Sequence, residues 1–198
     1  MSGNPWESAI REFERRDREC PQTPGAILFV GSSSIVLWST LEEDFKPLRV
    51  INRGFGGSQL ADTVFYADRI ILPYKPGIIV TYAGDNDIAA GKPPEAVRDQ
   101  LRLLSDKVRH SLPASRILFL SIKPSPARWH LIGLVRRANA LAEALARETW
   151  NLVYIDVFSP MLGPDGRPRP ELFVEDGLHL SAQGYVLWTS ILRPHLMR

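Results

Sequence analysis

Three consecutive serines, Ser32, Ser33 and Ser34, follow a short apolar run and a glycine in the stretch AILFVGSSSIVLW, from Ala26 to Trp38. A serine hydroxyl is a weak nucleophile until a base within hydrogen-bond reach takes its proton. Asp176 and His179 could supply that base and its orienting carboxylate, because they stand three residues apart and one turn can bring them together. Attack on an acyl carbon also creates an oxyanion, which needs preorganised hydrogen-bond donors. In Arg53-Gly54-Phe55-Gly56-Gly57-Ser58 the backbone N–H of Gly57 has no Cβ beside it to obstruct close approach. In Gly84-Asp85-Asn86-Asp87 the carboxamide of Asn86 is a neutral donor suited to the same task. Acyl transfer to water is the chemistry that uses all of these groups.

Such groups work only if the fold delivers them to one place. Apolar runs at Ala26–Val30, Leu48–Asn52, Gly77–Tyr82, Arg116–Ile122 and Asn151–Val157 read as strands, and Gly77–Tyr82, apolar almost throughout, is what a strand covered on both faces shows. Helical patterns lie between them. Leu60, Val64, Phe65 and Ile71 mark one helix, with Ser58 a candidate cap. Val97, Leu101, Leu104 and Val108 mark another after Pro93 and Pro94. Leu134, Ala138, Leu141 and Leu145 mark a third. A last helix starts near Ser181, buries Val186, Trp188 and Ile191, and loses regularity by Pro194. Ser39-Thr40-Leu41-Glu42 has the form of a capping box opening a short helix.

Strands alternating with helices predict a three-layer α/β/α fold around a five-stranded parallel sheet, in the flavodoxin-like order 2-1-3-4-5. In that order the loops after the first three strands are neighbours at the carboxyl edge, where α/β proteins build their sites. The loop entering the last helix, with Asp176 and His179, can face the same rim. One domain over residues 1–198 is expected, with 1–20 an amphipathic surface helix carrying Trp6, Ile10 and Phe13, and 26–198 the catalytic core.

Composition narrows the function classes. A chain of 198 residues with 44% hydrophobic and 23% charged side chains can bury a full core without staples. A formal charge of +2, with no basic tract, gives no nucleic-acid stripe. Cys20 is the single cysteine, so neither an intrachain disulfide nor a cysteine metal site is expected. No apolar run approaches the ~20 residues of a membrane span, and the N-terminal stretch lacks the apolar core of a secretory signal. A cytoplasmic protein acting on a small-molecule ester, without cofactor or metal, is the expectation.

Two other functions use some of the same residues. The serine turn could cradle a phosphate in a flavodoxin-like binding module, but Asp176 and His179 would then be idle, and there is no Rossmann fingerprint or P-loop. Asp85, Asp87, Asp176 and His179 could serve a metal-dependent hydrolase, leaving Asn86 and the glycine loop without a role.

The four segments, in this order, resemble the sequence blocks of the SGNH hydrolase superfamily, the GDSL-type esterases and lipases. They are Gly31-Ser32-Ser33 with Trp38 at the aromatic position, Asn52 through Gly57, Gly84-Asp85-Asn86-Asp87 as Gly-x-Asn-Asp, and Asp176-x-x-His179. The resemblance implies Ser33 as nucleophile, Asp176 and His179 as the rest of a triad, and Gly57 and Asn86 as oxyanion-hole donors; the backbone N–H of Ser33 is expected to join them. It departs at Ser32, where that family carries aspartate in Gly-Asp-Ser. Trp129, in the loop after the fourth strand, and Arg53 are further candidates for substrate contact.

Overall fold

The computed structural model describes residues 4–197. An N-terminal helix α1 (Glu7–Glu19) leads into β1 (Ile27–Gly31), and two short helices follow, α2 (Ser33–Val36) and α3 (Leu41–Asp44). Then come β2 (Val50–Gly54), α4 (Leu60–Ile70), β3 (Ile78–Tyr82), α5 (Asp85–Ala89) and α6 (Pro94–Ser111). The chain continues through β4 (Arg116–Leu120), α7 (Ile132–Glu148), β5 (Leu152–Ile155) and α8 (Ala182–Leu196). The five strands form one parallel sheet in the order β2-β1-β3-β4-β5, as expected.

Strand alternation divides the apolar side chains between two cores. Leu28, Val30, Ile79, Ile117 and Phe119 pack with Ile10, Leu60, Val97, Leu101 and Ala138 of the helices on one face. Ile27, Phe29, Val80, Leu118 and Leu120 pack on the other face with Trp38, Phe45, Tyr185 and Trp188. Trp38 is therefore core, wedged between Phe45, Tyr185 and Trp188 with ring centroids 5.0–6.1 Å away. Among the described residues no helix is long and apolar enough to cross a membrane.

Several local expectations shift. β2 runs from Val50 to Gly54 rather than Leu48 to Asn52, because Gly54 still pairs with Gly31 across the ladder. The helix at residue 41 forms, but Thr40 makes no side-chain cap; its hydroxyl and the Trp38 indole both donate to Asp44. The cap of α4 is Gln59, which shares a capping box with Asp62, while the Ser58 hydroxyl is buried with no hydrogen-bond partner among the described residues. The buried face of α4 carries Leu60, Thr63, Tyr66, Ala67 and Ile70, and Phe65 is exposed. In α7 Val135 is buried and Leu134 exposed. In α8 Tyr185, Trp188, Leu192 and Leu196 are inside and Val186 is 67% exposed. Pro194 stays within α8, where it can cost only a last-turn hydrogen bond.

Candidate active site

The carboxyl end of β1 is fixed on both sides before the serines begin. Phe55 N–H donates to Gly31 O at 2.8 Å, and Ser32 N–H donates to Tyr82 O at 3.0 Å. Gly31 has φ +139°, and a Cβ there would lie 2.0 Å from Tyr82 O, so no larger residue fits. The chain then turns directly into α2, with Ser33 as its first residue. Asn52 holds that turn of helix against β2: its Nδ2 donates to Ile35 O at 2.7 Å, and its Oδ1 accepts from Gly54 N–H at 2.9 Å. Tyr185 Oη, from α8, donates to Ser34 O at 3.1 Å.

This frame separates the three serines. Ser32 is 3% exposed and Ser34 1%, whereas Ser33 keeps accessible surface. The Ser33 hydroxyl lies 3.1 Å from His179 Nε2, and His179 Nδ1 lies 2.6 Å from Asp176 Oδ2. The other carboxylate oxygen, Asp176 Oδ1, accepts the backbone N–H groups of Leu178 (2.8 Å) and His179 (2.9 Å). The His179 backbone N–H, the imidazole and the Leu178 N–H together hold the Asp176 carboxyl down to about 2. The loop carrying this pair is closed on itself, with Val174 N–H on His179 O and Ser181 N–H on Leu172 O, before Ser181 caps α8. Ser33 and the Asp176–His179 pair, far apart in sequence, thus form one hydrogen-bonded line.

Asn86 sits in the first turn of α5, after β3. Its amide is oriented from both ends. Nδ2 donates to Ser58 O at 3.0 Å, and Oδ1 accepts from Arg128 Nη1 and Nη2 at 3.2 and 3.1 Å. One amide hydrogen goes to Ser58, which leaves the second for a ligand. Gly57 is exposed, with φ +76°, in the loop ending at that same Ser58.

Beneath Asn86 lies a buried charge cluster that sequence reading missed. Lys123 Nζ donates to Asp85 Oδ2 at 3.0 Å and to Tyr82 Oη at 3.1 Å, and Arg128 Nη1 lies 2.7 Å from Asp85 Oδ1. Burial pushes the Asp85 carboxyl up, but the Lys123 and Arg128 cations outweigh it and leave it below its ordinary value. Burial opposes the charge on Lys123 as well; Tyr82 and Asp85 prevail and hold the ammonium above its ordinary value. Asp87 is turned elsewhere: its Oδ2 accepts Leu60 N–H at 3.1 Å, and burial raises its carboxyl. Among the described residues no group of three or more His, Cys, Asp or Glu is placed to hold a metal. The metal arrangement of Asp85, Asp87, Asp176 and His179 does not form.

The structure does not bring Arg53 to this group. Its guanidinium is buried on the opposite side of β2, donating to Tyr74 Oη at 2.6 Å and pairing with Asp17, between the rings of Phe13 and Tyr74. Trp129 belongs to a 3₁₀ segment, Pro126–Leu131, that leans on the His179 loop through Ala127 N–H and Gly177 O at 3.0 Å. Its ring is partly buried, with the Arg167 guanidinium 5.0 Å above it.

Residues 31–187 match the GDSL-like lipase/acylhydrolase family model. No curated protein matches the chain. Among solved structures, a Streptococcus pneumonia protein named for platelet activating factor gives a TM-score of 0.85 at 23% identity, over 96% of this chain and 92% of that one. A GDSL-like lipase from Bacteroides thetaiotaomicron gives 0.80 at 16% identity, over 95% and 97%. An acetylxylan esterase from Geobacillus stearothermophilus, in a catalytic mutant form, gives 0.69 at 16% identity, over 87% and 95%. At these identities the likeness is one of fold.

Proposed function

This chain belongs to the GDSL-like lipase/acylhydrolase family and is an ester-hydrolysing enzyme, and from that premise we propose a serine esterase that works through an acyl-enzyme on small esters with a short acyl group such as acetyl. The observation that carries this reading is the line from Ser33 Oγ through His179 to Asp176. Ser33 attacks the ester carbonyl while His179 Nε2 takes its proton, then returns it to the leaving alcohol. Asp176, ionised through the working pH range, fixes the Nδ1–H tautomer and stabilises the imidazolium. The oxyanion is received by the second Asn86 amide hydrogen and by the N–H groups of Gly57 and Ser33. Ser33 opens α2, so its N–H is a first-turn donor without an intrahelical acceptor. Water then repeats the sequence on the acyl-enzyme.

Support for a short acyl group comes from the position of the site. The His179 side chain is 29% exposed and Asp176 46% exposed, a shallow rim suited to small or protruding acyl groups. The name of the Geobacillus neighbour points the same way. Trp129 lies on the segment leaning over that rim and is the candidate contact for the alcohol part.

The test is a fluorophosphonate label together with turnover of p-nitrophenyl acetate. Wild-type protein should label at Ser33 and keep its rate in chelator. Ser33→Ala should lose both label and nearly all turnover. Ser32→Ala should keep them. Turnover surviving in Ser33→Ala but not in Ser32→Ala would sink the assignment. A chain-length series of esters, run beside acetylated sugars, reads the acyl and alcohol preferences.

A further inference from the structure

The glycine loop has an unusual weakness for a group that must be preorganised. Ser58 N–H approaches Phe55 O at 3.4 Å, so Phe55-Gly56-Gly57-Ser58 is a turn with Gly56 and Gly57 at its centre. Gly57 has φ +76° and Gly56 a φ outside the positive range, the pattern of a type II turn. A type I turn differs chiefly by a flip of the central peptide, which would bring φ at Gly57 to about −90°. Glycine tolerates both. A Cβ added at either glycine would meet nothing within 4 Å, so no close packing at these two positions holds the turn. The central peptide joins the Gly56 carbonyl to the Gly57 N–H. In a planar trans peptide these point in opposite directions, so whatever fixes one fixes the other.

One side chain does fix it. The Trp6 indole Nε1 donates to Gly56 O at 2.8 Å. Trp6 is itself well anchored. Its ring stands edge-on to Phe55, with centroids 6.2 Å apart at 72°, and its backbone N–H donates to Asn4 Oδ1 at 3.2 Å. It stands at the N-terminal end of α1, which Ile10, fully buried, ties into the core. Arg69 of α4 clamps the same helix through Glu7 at 2.9 Å and Glu14 at 2.6 Å. Resting on the esterase reading above, we propose that Trp6 is a positioning residue for the oxyanion hole. Its indole N–H selects the peptide orientation in which the Gly57 N–H faces the reacting carbonyl. The N-terminal helix, which lies before the family match at residues 31–187, is thereby part of the enzyme's working structure.

Trp6→Phe tests this, because it keeps an aromatic ring against Phe55 and removes only the donor. Active sites are counted with fluorophosphonate and rates on p-nitrophenyl acetate are expressed per titrated site. The expected result is a kcat about 3- to 10-fold lower, what one net hydrogen bond supports, with KM unchanged. With glycine-selective ¹⁵N labelling, the Gly57 amide resonance should shift or broaden. A per-site kcat equal to wild type overturns the proposal. So does a loss appearing only in KM or only in the number of titratable sites, since those outcomes assign Trp6 to recognition or folding. If wild-type protein takes no label, the esterase reading itself fails; label with no effect of Trp6→Phe removes this inference alone.

Discussion

Replacing Arg128 with methionine separates orientation of the proposed oxyanion-hole amide of Asn86 from simple packing. The two guanidinium nitrogens at 3.1–3.2 Å from Asn86 Oδ1 fix which end of the carboxamide faces the site. Without them the amide can turn over, offering its oxygen where a donor is needed. Loss of one oxyanion-hole donor costs about 10²–10³ in kcat, and that is the ceiling for a residue acting only through Asn86. Ser58 O still restrains the amide from its other end at 3.0 Å, so the expected fall for Arg128→Met is about 10-fold to 10²-fold. The same change leaves Asp85 facing Lys123 alone, and some molecules will unfold, so rates must again be expressed per titrated site. The decisive measurement is a double-mutant cycle on p-nitrophenyl acetate. Asn86→Ala alone should lose about 10²–10³, and adding Arg128→Met should lower the per-site rate little further. If the two losses multiply in full, Arg128 does not work through Asn86 and the reasoning is refuted.

Two further changes probe the frame. Gly31→Ala would put a Cβ 2.0 Å from Tyr82 O at a φ of +139°, so it should destabilise the fold by about 3 kcal/mol or more; urea unfolding beside wild type measures this, and an unchanged midpoint would show that the strand end can yield. Asp85→Asn reports the buried ion cluster. Because the native carboxyl is held below its ordinary value of 3.8, its contribution to stability is fully present above that pH and is lost as pH falls through the lower native value. The Tm gap between wild type and Asp85→Asn should thus be widest near neutrality and close below about pH 4. A gap constant down to pH 3 would mean that the charge on Asp85 contributes nothing.

The sheet was readable in the chain because each apolar run stops at a glycine or polar loop, and parallel strands buried on both faces leave that mark. The end of β2 was not, since Gly54 reads as loop punctuation until its pairing with Gly31 is seen. Single helix positions slipped by one residue at some adjacent apolar pairs, as at Leu134 and Val135, Phe65 and Tyr66, and Tyr185 and Val186, though Leu104 was read as buried ahead of the exposed Leu103; period alone cannot always choose between neighbours. The hydrogen-bonded grouping of Ser33 with His179 and Asp176 was legible because each carries its chemistry in its residue type and follows a strand or precedes a helix. Arg53 misled by standing in the glycine block. Consecutive strand residues face opposite sides, and the side chain of Asn52 meets α2 while that of Arg53 meets α1. Arg128 and Trp6 left no local signal, since their partners lie 42 and 50 residues away.

These distant partners share a physical logic. Donors stabilise an oxyanion strongly only when they need no reorganisation as charge develops, so each must be held before substrate arrives. The Ser33 N–H is held by covalent continuity with β1, whose end is bonded to Tyr82 and Phe55. Asn86 is a side chain with a rotatable amide, and it takes Arg128 and Ser58 to orient it. Gly57 has neither a ladder nor a side chain, which is what lets a substrate approach and also what leaves its peptide free to flip. A glycine that must be both accessible and fixed can be held only through its neighbour's carbonyl. That is the atom Trp6 reaches, and on the proposal above α1 helps to preorganise a site whose reacting groups all lie beyond it in sequence.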